Sequence, residues 1–167
     1  MKVMIEPLLA SAEALNIQIK RLDAEVSARA KVSPVTRLLM TVPGVGPVTA
    51  LAFTATIDNA GRFAKSRTVG AYVGLTPRRF QSGEKDYTGK MSKFGDSQLR
   101  SLLYEAANSL LTIVRKAHPL KDWARRIRKR SGHKKACVAL ARKLAVIMHR
   151  MMVTGEAFRW PEKESAA

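Results

Sequence analysis

Acidic side chains are scarce in this chain. Its 167 residues hold 13 aspartates and glutamates against 30 lysines and arginines, a formal net charge of +17. Cysteine occurs once, at Cys137, which excludes an intrachain disulfide and favours a reducing, cytosolic setting. Aromatic residues are few: three Tyr, two Trp and five Phe. Yet 46% of the residues are hydrophobic, which argues against wholesale disorder, and the length can bury a core. No apolar run reaches the length of a membrane span, and no signal-peptide pattern is seen. His133 and His149 stand in no recognised zinc spacing with Cys137, and His118 is isolated, so no metal site is expected. A phosphate-binding glycine loop with its lysine is missing, as is any convincing internal repeat.

The cations are unevenly spread. Residues 1–33 carry a net +1, residues 34–77 a net +3, residues 78–143 a net +13, and residues 144–167 none. Solubility alone does not need such a concentration, whereas a polyanion partner explains it through counterion release. An anionic membrane fits less well, because no strongly apolar face with interfacial aromatics accompanies the basic runs.

The chain is organised around residues 42–50, Val-Pro-Gly-Val-Gly-Pro-Val-Thr-Ala, which read as a tight turn between two short apolar helices. Val35, Leu38, Leu39 and Val42 before it are spaced as one helical face; Val48 to Ile57 after it is almost wholly apolar and reads as buried. Gly44 and Gly46 permit backbone geometry and close approaches that a side chain blocks, and Pro47 suits a first helical turn. This helix-hairpin-helix pattern is a common non-specific contact to a nucleic-acid backbone, since free N–H groups at a helix start receive phosphate. Gly44, Gly46 and Thr49 are its candidate contacts. The bland alternative is a helix turn with no ligand.

Upstream, residues 4–31 read as one helix with Leu8, Ala12, Leu15, Ile19, Leu22 and Val26 in a heptad seam. Such an arm needs a partner surface: its own body, another chain or a further domain. Ser33 and Pro34 form a helix start. Downstream, residues 58–63 read as a turn, Ser66 as the cap of a short helix, and Gly74 as its end. Residues 77–95 are broken by Gly83, Gly89 and Gly95 into a loop or small hairpin anchored by Phe80, Tyr87 and Met91. Arg78, Arg79, Lys85, Lys90 and Lys93 surround hydroxyls there, among them Ser82. A hydroxyl beside guanidinium groups is suited to attack a phosphodiester, although a serine before a glycine is more often a turn residue.

A helix over about 97–115 follows, capped by Asp96 or Ser97, with Leu99, Leu102, Leu103, Ala106, Leu110 and Val114 on its apolar face and Arg100 positioned to turn back to the loop. His118-Pro119 opens a helix docked by Trp123 and Ile127, whose cations Arg125, Arg126 and Lys129 face outward. The last helix, about 134–153, begins with Lys134 and Lys135 and runs Ala136, Leu140, Leu144, Ile147 and Met151 down one face. Gly155 ends it, and residues 156–167 read as a frayed tail. The predicted fold is all-α: a coiled-coil-like arm over 1–33, then a compact body of 34–155 containing the helix-hairpin-helix, six or seven helices in all.

The ordered set Pro43-Gly44-Val45-Gly46, Gly61-Arg62-Phe63, 71–77 (Ala-Tyr-Val-Gly-Leu-Thr-Pro), Ser82-Gly83, and 89–96 followed by Leu99-Arg100 and Leu103 resembles the C-terminal domain of the insertion-sequence transposases guided by a bridge RNA. The resemblance implies a bacterial cytoplasmic transposase, nucleoid-associated when bound to DNA, that cuts and rejoins DNA through a serine-linked intermediate. The family's serine matches Ser82. The family's N-terminal half, a resolvase-like ribonuclease-H-fold domain with four acidic metal ligands, has no counterpart before residue 34. The expectation is therefore a fragment, with magnesium belonging to the other domain and guide-RNA binding incomplete. Three readings stay open: the serine-bearing half of a DNA transposase, a non-catalytic module holding DNA or structured RNA by phosphates, and an adaptor that associates with itself through residues 4–31.

Overall fold

In the computed structural model, residues 2–82 and 85–160 are described, with the backbone alone for residues 2–4, 85, 86 and 88. The described residues form seven α-helices and one two-stranded antiparallel sheet. The all-α architecture with a long N-terminal helix therefore holds, with a β-hairpin as its one addition.

Helix α1 (Lys2–Val32) projects as an arm. Its seam stays bare, with Leu8 70% and Leu15 64% exposed, and only its last turns anchor, where the fully buried Ala30 meets the elements that follow. Ser33 then accepts from the Thr36 N–H and Pro34 takes the first position of α2 (Pro34–Leu39), as expected of that pair. Leu39 and Val42 enter the core, but Val35 stays partly exposed. Helix α3 (Pro47–Ile57) buries Thr49, Ala50, Phe53 and Ile57 and leaves Val48 45% exposed. Its nearly all-apolar sequence therefore covers a one-sided helix, not a fully buried one, packed between α1, α2 and the body.

Two 3-10 turns, Ala60–Arg62 and Ser66–Thr68, lead into the short α4 (Val69–Tyr72). Ser66 does not cap a helix through its side chain. Its hydroxyl lies 2.9 Å from His149 Nδ1, while His149 Nε2 lies 3.0 Å from the Ala60 carbonyl. A carbonyl only accepts, so the ring carries its proton on Nε2, and in the neutral ring Nδ1 accepts from Ser66. This buried imidazole ties the last helix to both 3-10 turns, a polar tie that apolar periodicity could not announce.

Strands β1 (Pro77–Ser82) and β2 (Lys85–Met91) pair antiparallel with an irregularity between Pro77 and Arg79. Helix α5 (Ser97–Thr112) is capped by Asp96, whose Oδ1 accepts from the N–H groups of Gln98 and Leu99. Helix α6 (Pro119–Ser131) starts at His118, whose Nδ1 accepts from the Leu120 N–H. Helix α7 (His133–Thr154) is the spine: α2, α4, α5 and α6 all pack on it. Leu140, Leu144 and Met148 are fully buried along it, each such side chain giving roughly 1.5–3 kcal/mol of apolar burial. Gly155, left-handed at φ +70°, closes it.

Residues 156–160 do not fray. They fold back: the Phe158 N–H donates to Thr41 Oγ1 at 3.0 Å, and its ring lies against His118 with centroids 5.0 Å apart and planes tilted by 34°. Residues 161–167 lie outside the described residues.

Candidate nucleic-acid interface

The hairpin carries the candidates at highest density, and its placement begins with two glycines. Gly74 (φ +74°) and Gly95 (φ +77°) bracket it in the chain. A Cβ on Gly74 would stand 2.1 Å from the Phe94 carbonyl oxygen, and one on Gly95 2.1 Å from the Tyr72 carbonyl oxygen. The entry and exit of the hairpin thus touch backbone to backbone, which no side chain permits. Arg100 locks the same seam, donating from one guanidinium nitrogen to the Val73 carbonyl at 3.2 Å and the Phe94 carbonyl at 3.1 Å. It does turn back towards the loop, as its position in the first turn of α5 suggests, and its hydrogen bonds go to backbone.

From this base the strands run out into solvent. Phe80 and Tyr87 face one another across the ladder and stack, with centroids 4.9 Å apart and planes 15° off parallel. Gly89 makes room for Phe80, since a Cβ there would meet the ring at 2.8 Å. Both rings remain largely exposed, so the pair stiffens the hairpin rather than joining the core.

Three candidate cations gather at the base. Arg78, Lys90 and Lys93 line a cleft of about 400 Å³ with Phe80, Met91 and Ser92. Arg78 donates to the Ser92 carbonyl at 3.3 Å and lies over Phe94. The Ser92 hydroxyl, itself buried, has no hydrogen-bond partner among the described residues. A second cleft of about 320 Å³ adjoins the first, sharing Lys90 and Met91 and adding Lys134 and Lys135 from the start of α7. Five candidates from β1, β2, the loop after β2 and α7 thus form one basic surface, and among the described residues no carboxylate lines either cleft.

Other candidates sit elsewhere. Arg125, Arg126 and Lys129 are exposed on α6, and Arg125 pairs with Asp122 at 3.2 Å. Gly44 (φ +86°) is turned inward: a Cβ there would stand 2.5 Å from the Ala106 carbonyl oxygen, so this glycine serves the close approach of the turn to α5. Thr49 is buried. Gly46, at the start of α3, faces open space. Of the three helix-hairpin-helix candidates, Gly46 alone is open to a ligand at the α3 start.

Ser82 is exposed at the far end of β1, across the ladder from Lys85. Four residues of strand separate it from Arg78, about 13 Å at ~3.3 Å per residue. Arg79, three residues away, points to the opposite face of the strand. The cations of the basal cleft are therefore not gathered about this hydroxyl. Gly83 and the Lys85 side chain lie outside the described residues.

Sequence reasoning missed a buried polar cluster. His133 Nε2 lies 2.9 Å from Asn108 Oδ1 and 3.4 Å from Cys137 Sγ. Burial pushes the Cys137 thiol above its usual pKa, and burial also raises that of Tyr104 beside it. The i, i+4 spacing of His133 and Cys137 was the available signal; Asn108 arrives from α5 only through the fold. Among the described residues, no group of three or more His, Cys, Asp or Glu could hold a metal ion, and no helix is long and apolar enough to cross a membrane.

The described residues thus form a basic helical body with an exposed hairpin that carries cations at its base. Residues 36–123 match the model of the Transposase IS116/IS110/IS902 family, and the chain belongs to that family. It is 36% identical over 138 residues to the transposase for insertion sequence element IS1111A of Coxiella burnetii, covering 82% of this chain and 38% of that protein. A putative transposase of Sinorhizobium fredii, y4pF/y4sB, is 33% identical over 90% of this chain and 40% of its own length. A probable family 20 transposase of Pseudomonas aeruginosa is 29% identical over 88% and 44%. The chain thus spans about two fifths of the length of these curated relatives.

Proposed function

We propose that this chain is a DNA-holding domain of an insertion-sequence transposase, gripping the nucleic-acid backbone through phosphates. The observation that carries the reading is the basic surface of Arg78, Lys90, Lys93, Lys134 and Lys135, which lines two adjoining clefts free of carboxylates among the described residues. A phosphate there gains charge-assisted hydrogen bonds from several donors at once, with the unpartnered Ser92 hydroxyl as a further one. The exposed cations of α6 extend the footprint, and the open start of α3 at Gly46 offers a separate backbone contact. Structured guide RNA, as the resemblance implies, would meet the same charges.

The test is salt dependence. Five neutralised phosphates give a slope of log K against log salt of about −4 to −5. Replacing Lys90, Lys93, Lys134 and Lys135 by Gln should flatten it by about 3 to 4. An unchanged slope places the phosphates elsewhere and overturns the assignment.

A second reading adds chemistry. Ser82, matching the family's serine, would attack the scissile phosphorus; the sugar hydroxyl leaves with its electron pair, and reversal by another strand's hydroxyl restores the serine. Its exposure at the end of a stiffened hairpin supports this, because a nucleophile must reach a phosphate outside the body. The basal cations lie about 13 Å away along the strand, so they would not stabilise charge at the reacting phosphate. A suicide DNA substrate supplied with bridge RNA and the family's four-carboxylate domain in trans should give a covalent adduct lost in S82A. Binding without an adduct would leave the phosphate-holding reading alone. Self-association through residues 4–31 is part of the proposal, motivated by the bare heptad seam of α1.

A further inference from the structure

Beside the basic surface lies a larger cavity, about 460 Å³, between the foot of β1, α6 and α7. Its floor is apolar, made by Leu75, Val138 and Ala139, and Trp123 forms a wall. Its cations are Arg67, Lys135, Arg142 and Lys143. None of the four is ion-paired to a described residue, and among the described residues no carboxylate or hydroxyl side chain lines the cavity. Two of them are placed with some care. The aliphatic stem of Arg142 lies against Gly70, where a Cβ would meet it at 2.8 Å, and Lys143 Nζ sits 4.1 Å from the Trp123 ring centre. Lys135 and Val138 also line the neighbouring cleft, so the two are continuous.

An apolar slot beside an indole, ringed by cations and free of acids, does not match a stacked duplex, whose bases are hidden. It matches one unstacked base with its flanking phosphates. We propose that this cavity receives an unpaired nucleotide of a DNA strand, the base on the apolar floor against Trp123 and the phosphates on the surrounding cations. The choice of DNA follows from the phosphate-holding reading, in which a DNA strand is the polyanion on the adjoining clefts. This inference deepens the phosphate-holding reading and depends on it.

The experiment uses the full chain with Trp160→Phe, so that Trp123 is the only indole. Four probes are compared: single-stranded oligothymidylate of twelve nucleotides, a strand of equal length with abasic sugars, a duplex, and oligouridylate. Oligothymidylate should quench Trp123 and bind about tenfold more tightly than the abasic strand, or ~1.4 kcal/mol. Ala139→Phe, which fills the slot, should erase that tenfold difference and leave duplex binding intact. Should that variant not fold, a 2-aminopurine base in the strand, quenched on binding the unaltered pocket, gives the same readout. Equal binding of oligothymidylate and abasic strand with unchanged Trp123 emission overturns the proposal. Stronger quenching by oligouridylate overturns the choice of DNA. Loss of all four probes overturns the phosphate-holding reading instead, so the two failures are distinguishable.

Discussion

Gly44 and Gly46 look equivalent in the Pro-Gly-Val-Gly-Pro turn, yet the fold gives them opposite tasks, and alanine separates them. Gly44 holds φ +86° and sits so close to α5 that a Cβ would stand 2.5 Å from the Ala106 carbonyl oxygen and 3.2 Å from the Leu110 amide nitrogen. Alanine there meets two costs. A left-handed non-glycine conformation takes about 1–2 kcal/mol. Relief of a contact with helix backbone, which cannot swing away as a side chain can, adds an overpacking cost of about 1–3 kcal/mol. Gly44→Ala should therefore lose about 2–5 kcal/mol, and in a chain of this length each kcal/mol moves Tm by about 2–4 °C. Gly46 has φ −93° and open space where its Cβ would be, so Gly46→Ala should cost under about 1 kcal/mol, a modest change of helix cap. Thermal melts of both variants, followed by far-UV circular dichroism and by urea titration, measure the difference directly. If Gly44→Ala melts within a degree or two of Gly46→Ala, the inward packing of the turn on α5 is wrong.

Arg100→Gln should remove both hydrogen bonds that seal the hairpin base, costing about 1–3 kcal/mol and raising amide exchange at residues 73–76 and 91–95 above that of α7; unchanged exchange there would show that Gly74 and Gly95 hold the seam alone. Cys137, fully buried with its thiol pKa raised chiefly by burial, should resist iodoacetamide at pH 8 in the folded chain and react at once in urea. Unfolding restores the ordinary thiol, which gives up its proton at lower pH, so this group's contribution to stability declines as pH rises past the ordinary thiol range; rapid labelling without urea would contradict the burial. Leu15→Glu with Leu22→Glu, both on the bare face of α1, should leave the Tm nearly unchanged and convert any oligomer to monomer by light scattering. A mass independent of these changes would remove the arm as an association surface.

Much of the architecture was legible because helices announce themselves locally. The caps at Ser33 and Asp96, the first-turn prolines at 34, 47 and 119, and the terminator Gly155 each act within a few residues of chain, so their signals survive without tertiary context. The hairpin was harder. Strand pairing joins Phe80 to Tyr87 and needs Gly89 opposite, and a glycine-broken basic stretch gives the same composition whether it pairs or wanders. Ser66 and His149 are 83 residues apart, and no spacing rule reaches that far. Phe158 falls in a stretch that reads as a frayed tail, because its partners, Thr41 and His118, lie far from it in the chain.

The functional residues divide along the same line. Charge is additive and survives any fold, so the concentration of cations in residues 78–143 located the basic surface before its shape was known. What charge could not show is grouping. Arg78 and Ser82 are four positions apart, which reads as adjacency; in an extended strand it is about 13 Å, whereas Lys90 and Lys134, 44 positions apart, line one cleft. The hairpin therefore presents two separate ends: a basic cleft against the body and an exposed serine at the far end of β1. On the proposed reading, a phosphate held in the cleft is not the one that Ser82 would attack. If both act on one DNA strand, they would engage different phosphates of it, and the cleft would set the register of the serine rather than stabilise its chemistry.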